Sequence, residues 1–393
     1  MRWRRIYADY AATTPLSSCV ERYMRRAGRA WANPSAIHTE GVEARAVLEK
    51  ERGRVAQVLG VRPSEVYFVS GGTEANTTII HGVIESRRAE GIEYAHMHVI
   101  TTTIEHGSVR EAMRSLESRG VRVSYIAPDV RGVVSADEVM RALVPETVLV
   151  SVMYANNEIG TIQPVSKIGA ALRAMRSQTL SVYPVFHTDA SQAPLWLSCV
   201  LEGLRVDAMT IDAHKMEGPR GVGALVVRSH VKWAPLLRGG GQERGKRATT
   251  ESVALIAGCA EALVRADRDK EARSRAVAQR RDDIIRLLDG VEGVIVNGSL
   301  KDRLPNNLNV SVLPLRDAEL AVLELDARGI ACSTKSSCLS GEEESYVVKA
   351  LGGDPRRAQT TLRFSLSPRT TSREAHVIAS EIIRLTTLQR LCR

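Results

Sequence analysis

The sequence predicts an α/β fold with a mostly parallel sheet covered by helices on both faces. Three observations lead there. From Val66 to Thr188, short apolar runs alternate with stretches of helical spacing. After Glu251 that alternation gives way to a long charged helical stretch and then to mixed short elements. At 393 residues, the chain is also long enough for a large core and a second domain.

Taken in order, Ile6–Pro15 reads as a short extended segment ending at a proline, and Asn33-Pro34-Ser35 as a turn. Glu40–Leu59 has apolar residues at helical spacing and stops at Gly60. The alternating region follows: strand Val66–Ser70, helix Glu74–Arg87, strand His98–Thr103, helix Ser108–Glu117, strand Val121–Ala127. Ser135-Ala136-Asp137-Glu138 has the form of a capping box that starts the next helix. Strand Thr147–Met153, helix Val165–Arg176 and strand Val182–Thr188 come next. An apolar run at Val206–Ile211 and another at Ala224–Val227 are two further strands. The domain boundary falls inside the long stretch Glu251–Leu288, whose charge run Arg265–Arg275 is a solvated face. Beyond it, strands Val294–Asn297, Asn307–Val312 and Leu362–Leu366 mix with helices Ala318–Asp326, Ser345–Leu351 and Arg373–Leu385, as in a smaller α+β domain.

Composition narrows the function classes. The 54 basic residues exceed the 45 acidic ones by nine, but they are scattered and no basic stretch is interleaved with aromatics. Direct nucleic-acid binding is therefore not expected, and the excess charge suits solubility or attraction of anionic ligands. No apolar run approaches a membrane span, and the start Met-Arg-Trp-Arg-Arg lacks the apolar core of a signal peptide, so a cytoplasmic protein is expected. The six cysteines contain no Cys-x-x-Cys pair, which points to a reducing compartment with neither a disulfide framework nor a metal site.

Most chemically suggestive residues follow a strand, where an α/β sheet gathers its ligands. Ser70-Gly71-Gly72-Thr73-Glu74 leaves a strand and opens a helix, so free N–H groups and the Thr73 hydroxyl make either an anion site or a plain helix cap. His106 follows the next strand and could stack on a flat ligand, move a proton, or simply occupy a loop. Asn156-Asn157 suits hydrogen bonding or turn formation. The apolar run Val185–Thr188 leads directly into Asp189, which buries or half-buries a carboxylate and so requires a partner: a protonated ring nitrogen on a cofactor, a salt bridge, or a helix N-cap. Lys215 is held between a strand end and the turn Gly218-Pro219-Arg220-Gly221. A desolvated lysine there can form a Schiff base with an aldehyde, although a surface-loop lysine has the same local pattern.

An anion site, a ring stacker, a buried carboxylate and a constrained lysine, in this order on an α/β sheet, describe a pyridoxal phosphate site. The sequence resembles the cysteine desulfurases of the class V aminotransferase group. The motifs run from Tyr7-Ala8-Asp9-Tyr10-Ala11-Ala12-Thr13-Thr14-Pro15 through Gly72-Thr73-Glu74, Glu105-His106, Asn156-Asn157-Glu158-Ile159-Gly160, His187-Thr188-Asp189, His214-Lys215 and Gly239-Gly240-Gly241-Gln242-Glu243-Arg244-Gly245 to Ser336-Ser337-Cys338 and Arg363-Phe364-Ser365-Leu366.

The resemblance implies a fold type I pyridoxal 5'-phosphate enzyme. A large domain, 15–262, would hold a mostly parallel seven-stranded sheet, and 1–14 with 263–393 would form the smaller domain carrying the catalytic cysteine. It further implies that Lys215 binds the cofactor and shuttles the α-proton, and that Asp189 pairs with the ring nitrogen. His106 would stack and act as acid and base. Asn157 and Gln192 would approach the phenolic oxygen, and Gly72, Thr73 and His214 the phosphate. Arg363, with Asn157, would bind the substrate carboxylate. Thr250 would reach the phosphate of the other subunit in a homodimer, although Ala248-Thr249 replace the Ser-Gly that the family shows before it. Cys338, in a polar loop near Lys335, is the expected nucleophile, with Cys332 the better-packed rival.

One position departs from the family. Asp212 stands three residues before the lysine, where a serine usually touches the phosphate. A carboxylate about 4 Å from a phosphate would cost ~4 kcal/mol at an effective dielectric near 20. Asp212 must then turn away or be neutralised by His214 or an arginine. The activity implied is conversion of L-cysteine to L-alanine with a persulfide on Cys338, the sulfur passing to an iron–sulfur scaffold or a tRNA-thiolation protein. A selenocysteine lyase, a related aminotransferase and a cofactor-free sulfur-handling scaffold are the alternatives.

Overall fold

The computed structural model describes residues 5–334 and 344–391, with side chains to residue 387. The alternating region folds into one seven-stranded sheet. Its strands are β1 (Val66–Val69), β2 (His98–Thr102), β3 (Arg122–Ile126), β4 (Thr147–Ser151), β5 (Val185–Asp189), β6 (Ala208–Asp212) and β7 (Gly223–Val227). Their order is β1-β7-β6-β5-β4-β2-β3. All neighbours from β6 across to β3 run parallel, whereas β7 is antiparallel to both β6 and β1.

Every residue of β2, β4, β5, β6 and β7 is buried. The reason is the period of the strand, which sends successive side chains to opposite faces. Ile100, Val150, Phe186 and Met209 enter one apolar cluster, and their neighbours Val99, Leu149, Val185 and Ala208 enter another on the far side. Helices α1 (Gly72–Ala89), α2 (Gly107–Glu117) and α3 (Val165–Thr179) are among those that cover the faces. Helix Thr39–Leu59 ends at Gly60, whose φ of 65° is the left-handed stop expected of a glycine.

The long helix α4 (Val253–Leu288) buries Ile256, Ala260 and Leu263 near its start and Val277, Ile284 and Leu288 near its end. Helices Ser18–Ala27, Thr39–Leu59 and Ser372–Leu391 all pack on it. Beyond it, Thr361–Ser365, Asn307–Val312 and Val294–Val296 form an antiparallel three-stranded sheet. Ile6–Tyr7 pairs in parallel with Ile330–Ala331, and Asp9 bridges Ser365, so the chain's first residues are stitched into its last quarter.

Several local expectations change. Only Ile6–Tyr7 of the first extended segment is a strand. Ser135 caps a short helix, Ala136–Arg141, but its side chain makes no capping hydrogen bond, so no capping box forms. Helix Ser18–Ala27 was not anticipated; its face of scattered arginines hides the single fully buried Val20. The run expected to end at Ile211 continues one residue further, which makes Asp212 the last residue of β6.

Candidate active site

At the carboxyl ends of the parallel strands lies a cavity of about 150 Å³. Gly72, Thr73, His106, Asn157, Asp189, Gln192, Asp212, His214, Lys215 and Arg363 all line it, joined by Asn76, Ser108 and Ser191. Each arrives from a different local cause.

Asp189 ends β5, where the buried strand delivers it to the cavity with only 7% exposure. Its charge is satisfied locally. Asn76 Nδ2 donates to Oδ2 at 2.8 Å, while Ser191 donates to Oδ1 from its backbone N–H (2.9 Å) and its hydroxyl (2.6 Å). Asn76 comes from the first turns of α1, and its Nδ2 also donates to Ser108 Oγ at 2.9 Å.

His106 caps α2. Its Nδ1 accepts the Ser108 backbone N–H at 3.1 Å. An acceptor Nδ1 leaves the proton of the neutral ring on Nε2. Burial is the main force holding its pKa below the usual range; Lys215 and Arg363 act the same way, against the pull of Asp189 and Asp212. The preceding Glu105 is wholly buried, with Oε1 accepting from the Thr102 hydroxyl and the Met153 N–H, each at 2.9 Å. Burial pushes its pKa up to about 8, so at neutral pH the carboxyl is largely protonated.

Lys215 follows β6 by a single 3-10 turn. A Cβ on Gly218 would stand 2.7 Å from the Ala213 carbonyl oxygen, so the glycine is what allows the chain to double back there. Lys215 Nζ donates to the carbonyls of Ala11 and Ala12, both at 2.7 Å. Gln192 Nε2 donates to the same Ala11 carbonyl at 2.9 Å. The N-terminal segment thus forms one wall and positions the amine.

The two asparagines divide the tasks that the sequence left open. Asn156 builds the turn, accepting the Glu158 and Ile159 N–H groups on Oδ1. Asn157 lines the cavity, and among the described residues its buried Oδ1 has no hydrogen-bond partner. Arg363 is 1% exposed; it donates to the Asn157 carbonyl at 3.1 Å and to Asp9 Oδ1 at 2.7 Å. Asp9 belongs to the Tyr7–Pro15 motif, but nothing in its sequence neighbourhood signals a partner so far along the chain.

Asp212 does not turn away. Its Oδ2 accepts the Gly72 N–H at 2.8 Å and lies 3.3 Å from His214 Nε2, whose ring is braced on its other side by Thr13 Oγ1 at 3.1 Å from Nδ1. Thr250 is exposed and does not line this cavity. Cys332 is buried, and burial pushes its thiol up to about 12, which leaves it unionised. Cys338 lies outside the described residues. On one side of that gap, Ser333 pairs through its backbone with Arg363; on the other, the Ser345 hydroxyl donates to Glu158 Oε2 at 2.6 Å.

The donor set fits pyridoxal phosphate. An amine, a carboxylate and an imidazole face one small cavity, and the unpartnered Asn157 Oδ1 is an acceptor awaiting a donor. At the N-terminus of α1, Gly72 leaves space that a Cβ would close to 3.0 Å from both Asp212 Oδ2 and Ser191 Oγ.

The family model Aminotransferase class-V matches residues 6–377. The chain is 37% identical over 385 residues, 97% of its own length and 94% of the relative's, to the cysteine desulfurase IscS of Dictyoglomus turgidum. It is 37% identical over 371 residues to the cysteine desulfurase IscS of Methanosarcina thermophila, covering 94% of this chain and 89% of that one. Among solved structures it superposes on a NifS-like protein with a TM-score of 0.88 at 35% identity, over 98% of this chain and all of the other.

Proposed function

The chain belongs to the class-V aminotransferase family, and we propose that within it the protein is a pyridoxal phosphate-dependent cysteine desulfurase. The observation that carries the reading is the convergence of Lys215, Asp189, His106 and Arg363 on one cavity.

In this reading Gly72, Thr73 and His214 hold the phosphate, Asn157 and Gln192 meet the phenolic oxygen, and Lys215 holds the aldehyde carbon. When bound, the cofactor supplies an electron-accepting ring that acidifies the substrate's α-carbon. The chain supplies the rest. Asp189, fixed by Asn76 and Ser191, keeps a negative charge at the ring nitrogen. His106 lines the cavity with the proton of its neutral ring on Nε2. Arg363 and Asn157 bind the substrate carboxylate, which suits a planar guanidinium. With the cofactor bound, the Lys215 amine would be the base placed to take the substrate's α-proton.

Cys338 is the proposed sulfur acceptor. Its thiolate would take the substrate's sulfur as a new S–S bond, with the electron pair of the broken C–S bond staying on the β-carbon; one proton then goes to that carbon and the α-proton held by Lys215 returns to the α-carbon, which gives L-alanine. Residues 15–262 then form the cofactor-binding unit, and 1–14 with 263–393 the unit carrying Cys338. We propose a homodimer in which Thr250 reaches the other subunit's phosphate, a reading supported by the exposure of Thr250 away from its own cavity. Among the described residues no helix is long and apolar enough to cross a membrane. A cytoplasmic enzyme handing sulfur to an iron–sulfur scaffold or a tRNA-thiolation protein is the setting we propose.

A cofactor-free scaffold is favoured by one observation, the Asp212 carboxylate seated on the Gly72 amide. Visible absorbance after incubation with pyridoxal phosphate, and borohydride fixation mapped to Lys215, are the expected results that reject it. Alanine release from L-cysteine is expected in the wild type and lost in Cys338→Ala; undiminished turnover in that variant would remove Cys338 from the reaction.

A further inference from the structure

Asp212 places a carboxylate beside Gly72, Thr73 and His214, the residues proposed to hold the cofactor's phosphate. Three facts define its situation. It is 7% exposed at the end of a wholly buried strand. One oxygen, Oδ2, is committed to the Gly72 N–H at the head of α1 and to His214. The other oxygen, Oδ1, is buried and has no partner among the described residues. Asp212 also lines both the main cavity and a second, more open one shared with Ser70, Thr73, Glu74, His214 and Arg220.

A buried acceptor without a donor is costly, and an anion brought beside it costs more. A phosphate dianion offers Oδ1 no donor, whereas a phosphate that keeps one proton offers a P–O–H. Turning the Asp212 side chain out of the cradle would forfeit the Gly72 bond. The other charges that face Asp212 are His214 and Lys215 from the turn after β6, His106 from the head of α2, and Glu74 and Arg220 around the open cavity. The Cys259 thiol of α4 also senses Asp212.

Resting on the cofactor reading above, we propose that ligand phosphate binds in this cradle together with one proton, shared between a phosphate oxygen and Asp212 Oδ1. In the free protein the carboxylate is ionised: burial opposes this, but the His214 hydrogen bond and charge, the Gly72 N–H and Lys215 together outweigh it. The free phosphate monoester loses its second proton near pH 6. Above that pH the proton must come from solvent, so affinity falls by about tenfold for each pH unit.

The test uses pyridoxine 5'-phosphate, which has the ring and phosphate but no aldehyde to engage Lys215. Calorimetry of the cofactor-stripped protein at pH 8, in two buffers of different ionisation enthalpy, counts the protons taken up. Wild type is expected to take up one more proton than Asp212→Asn or Asp212→Ser. Its dissociation constant should rise about tenfold per unit from pH 6.5 to 8.5 while those of the variants stay flatter. Both variants should bind more tightly than wild type at pH 8 and converge with it near pH 6. Equal proton counts and parallel pH profiles in wild type and both Asp212 variants overturn the proposal. Borohydride fixation of pyridoxal phosphate separates the two levels: with fixation at Lys215 and no proton difference only this inference fails, whereas absence of fixation in wild type and variants alike sinks the cofactor reading and this inference with it.

Discussion

Asn76 donates to Asp189 across 113 residues of sequence, with Nδ2 2.8 Å from Oδ2. The same nitrogen bonds Ser108 Oγ, which lies 2.9 Å from His106 Nδ1. One amide therefore aligns both the carboxylate and the imidazole expected to contact a ring. Asn76→Ala should leave cofactor binding measurable and lower kcat for alanine formation by roughly ten- to a hundredfold, the size of one lost buried hydrogen bond to a charge. Steady-state kinetics with an unchanged kcat would show that Ser191 alone suffices.

Arg363 spends two of its donors on Asn157 and Asp9, and its buried Nε has no hydrogen-bond partner among the described residues. Arg363→Lys keeps the charge but loses the fork. The expected result is a KM for L-cysteine raised by roughly tenfold or more, with the cofactor spectrum unchanged. An unaltered KM would place the substrate carboxylate elsewhere.

Glu105 provides a pH signature in stability. Its folded pKa of about 8, raised chiefly by burial, exceeds the unfolded value. The native state therefore binds the extra proton, and the contribution to stability is complete below the unfolded pKa and is lost as pH rises towards 8. Relative to Glu105→Gln, the cofactor-free wild type should lose stability between pH 5 and 8, by at most about 1.4 kcal/mol per pH unit. Urea unfolding at several pH values measures this; parallel curves for the two proteins would mean that Glu105 is ionised throughout.

Away from the cavity, Arg52 and Glu243 form a bidentate pair at 2.7 and 2.9 Å, with side-chain exposures of 2% and 1%. Glu243 Oε2 also accepts the Phe68 N–H at 3.0 Å, which fastens the Gly239–Gly245 turn to β1. Arg52→Ala should cost about 3–5 kcal/mol because it strands a buried carboxylate. Replacing both partners with apolar residues should recover part of that loss. A cost under ~1 kcal/mol for the single change, read from urea midpoints, would mean that water reaches the pair.

What the sequence discloses here depends on how local the cause is. Asp189 is legible because an apolar strand runs straight into it, and Lys215 because a Gly/Pro turn follows it. Strand direction is not legible: β7 has the same apolar character as the parallel strands β4, β5 and β6, and only pairing makes it antiparallel to both of its neighbours. Asn76 and Asp9 owe their tasks to partners 113 and 354 residues away, which no spacing rule reaches. Asp212 stood out as a chemical misfit. Its seat on the Gly72 amide, however, depends on β6 running one residue further than its apolar pattern suggests.

The wall of the cavity formed by Ala11 and Ala12 is tied through Asp9 to Arg363, close to the far end of the chain. Synthesis must therefore pass Arg363 before this wall has its anchor. Lys215 emerges well before the strand that contains Arg363, so a nascent chain carries the reactive amine for some time with one side of its enclosure missing. A chain cut before Arg363 would lose the anchor of the wall that positions its amine rather than a dispensable tail.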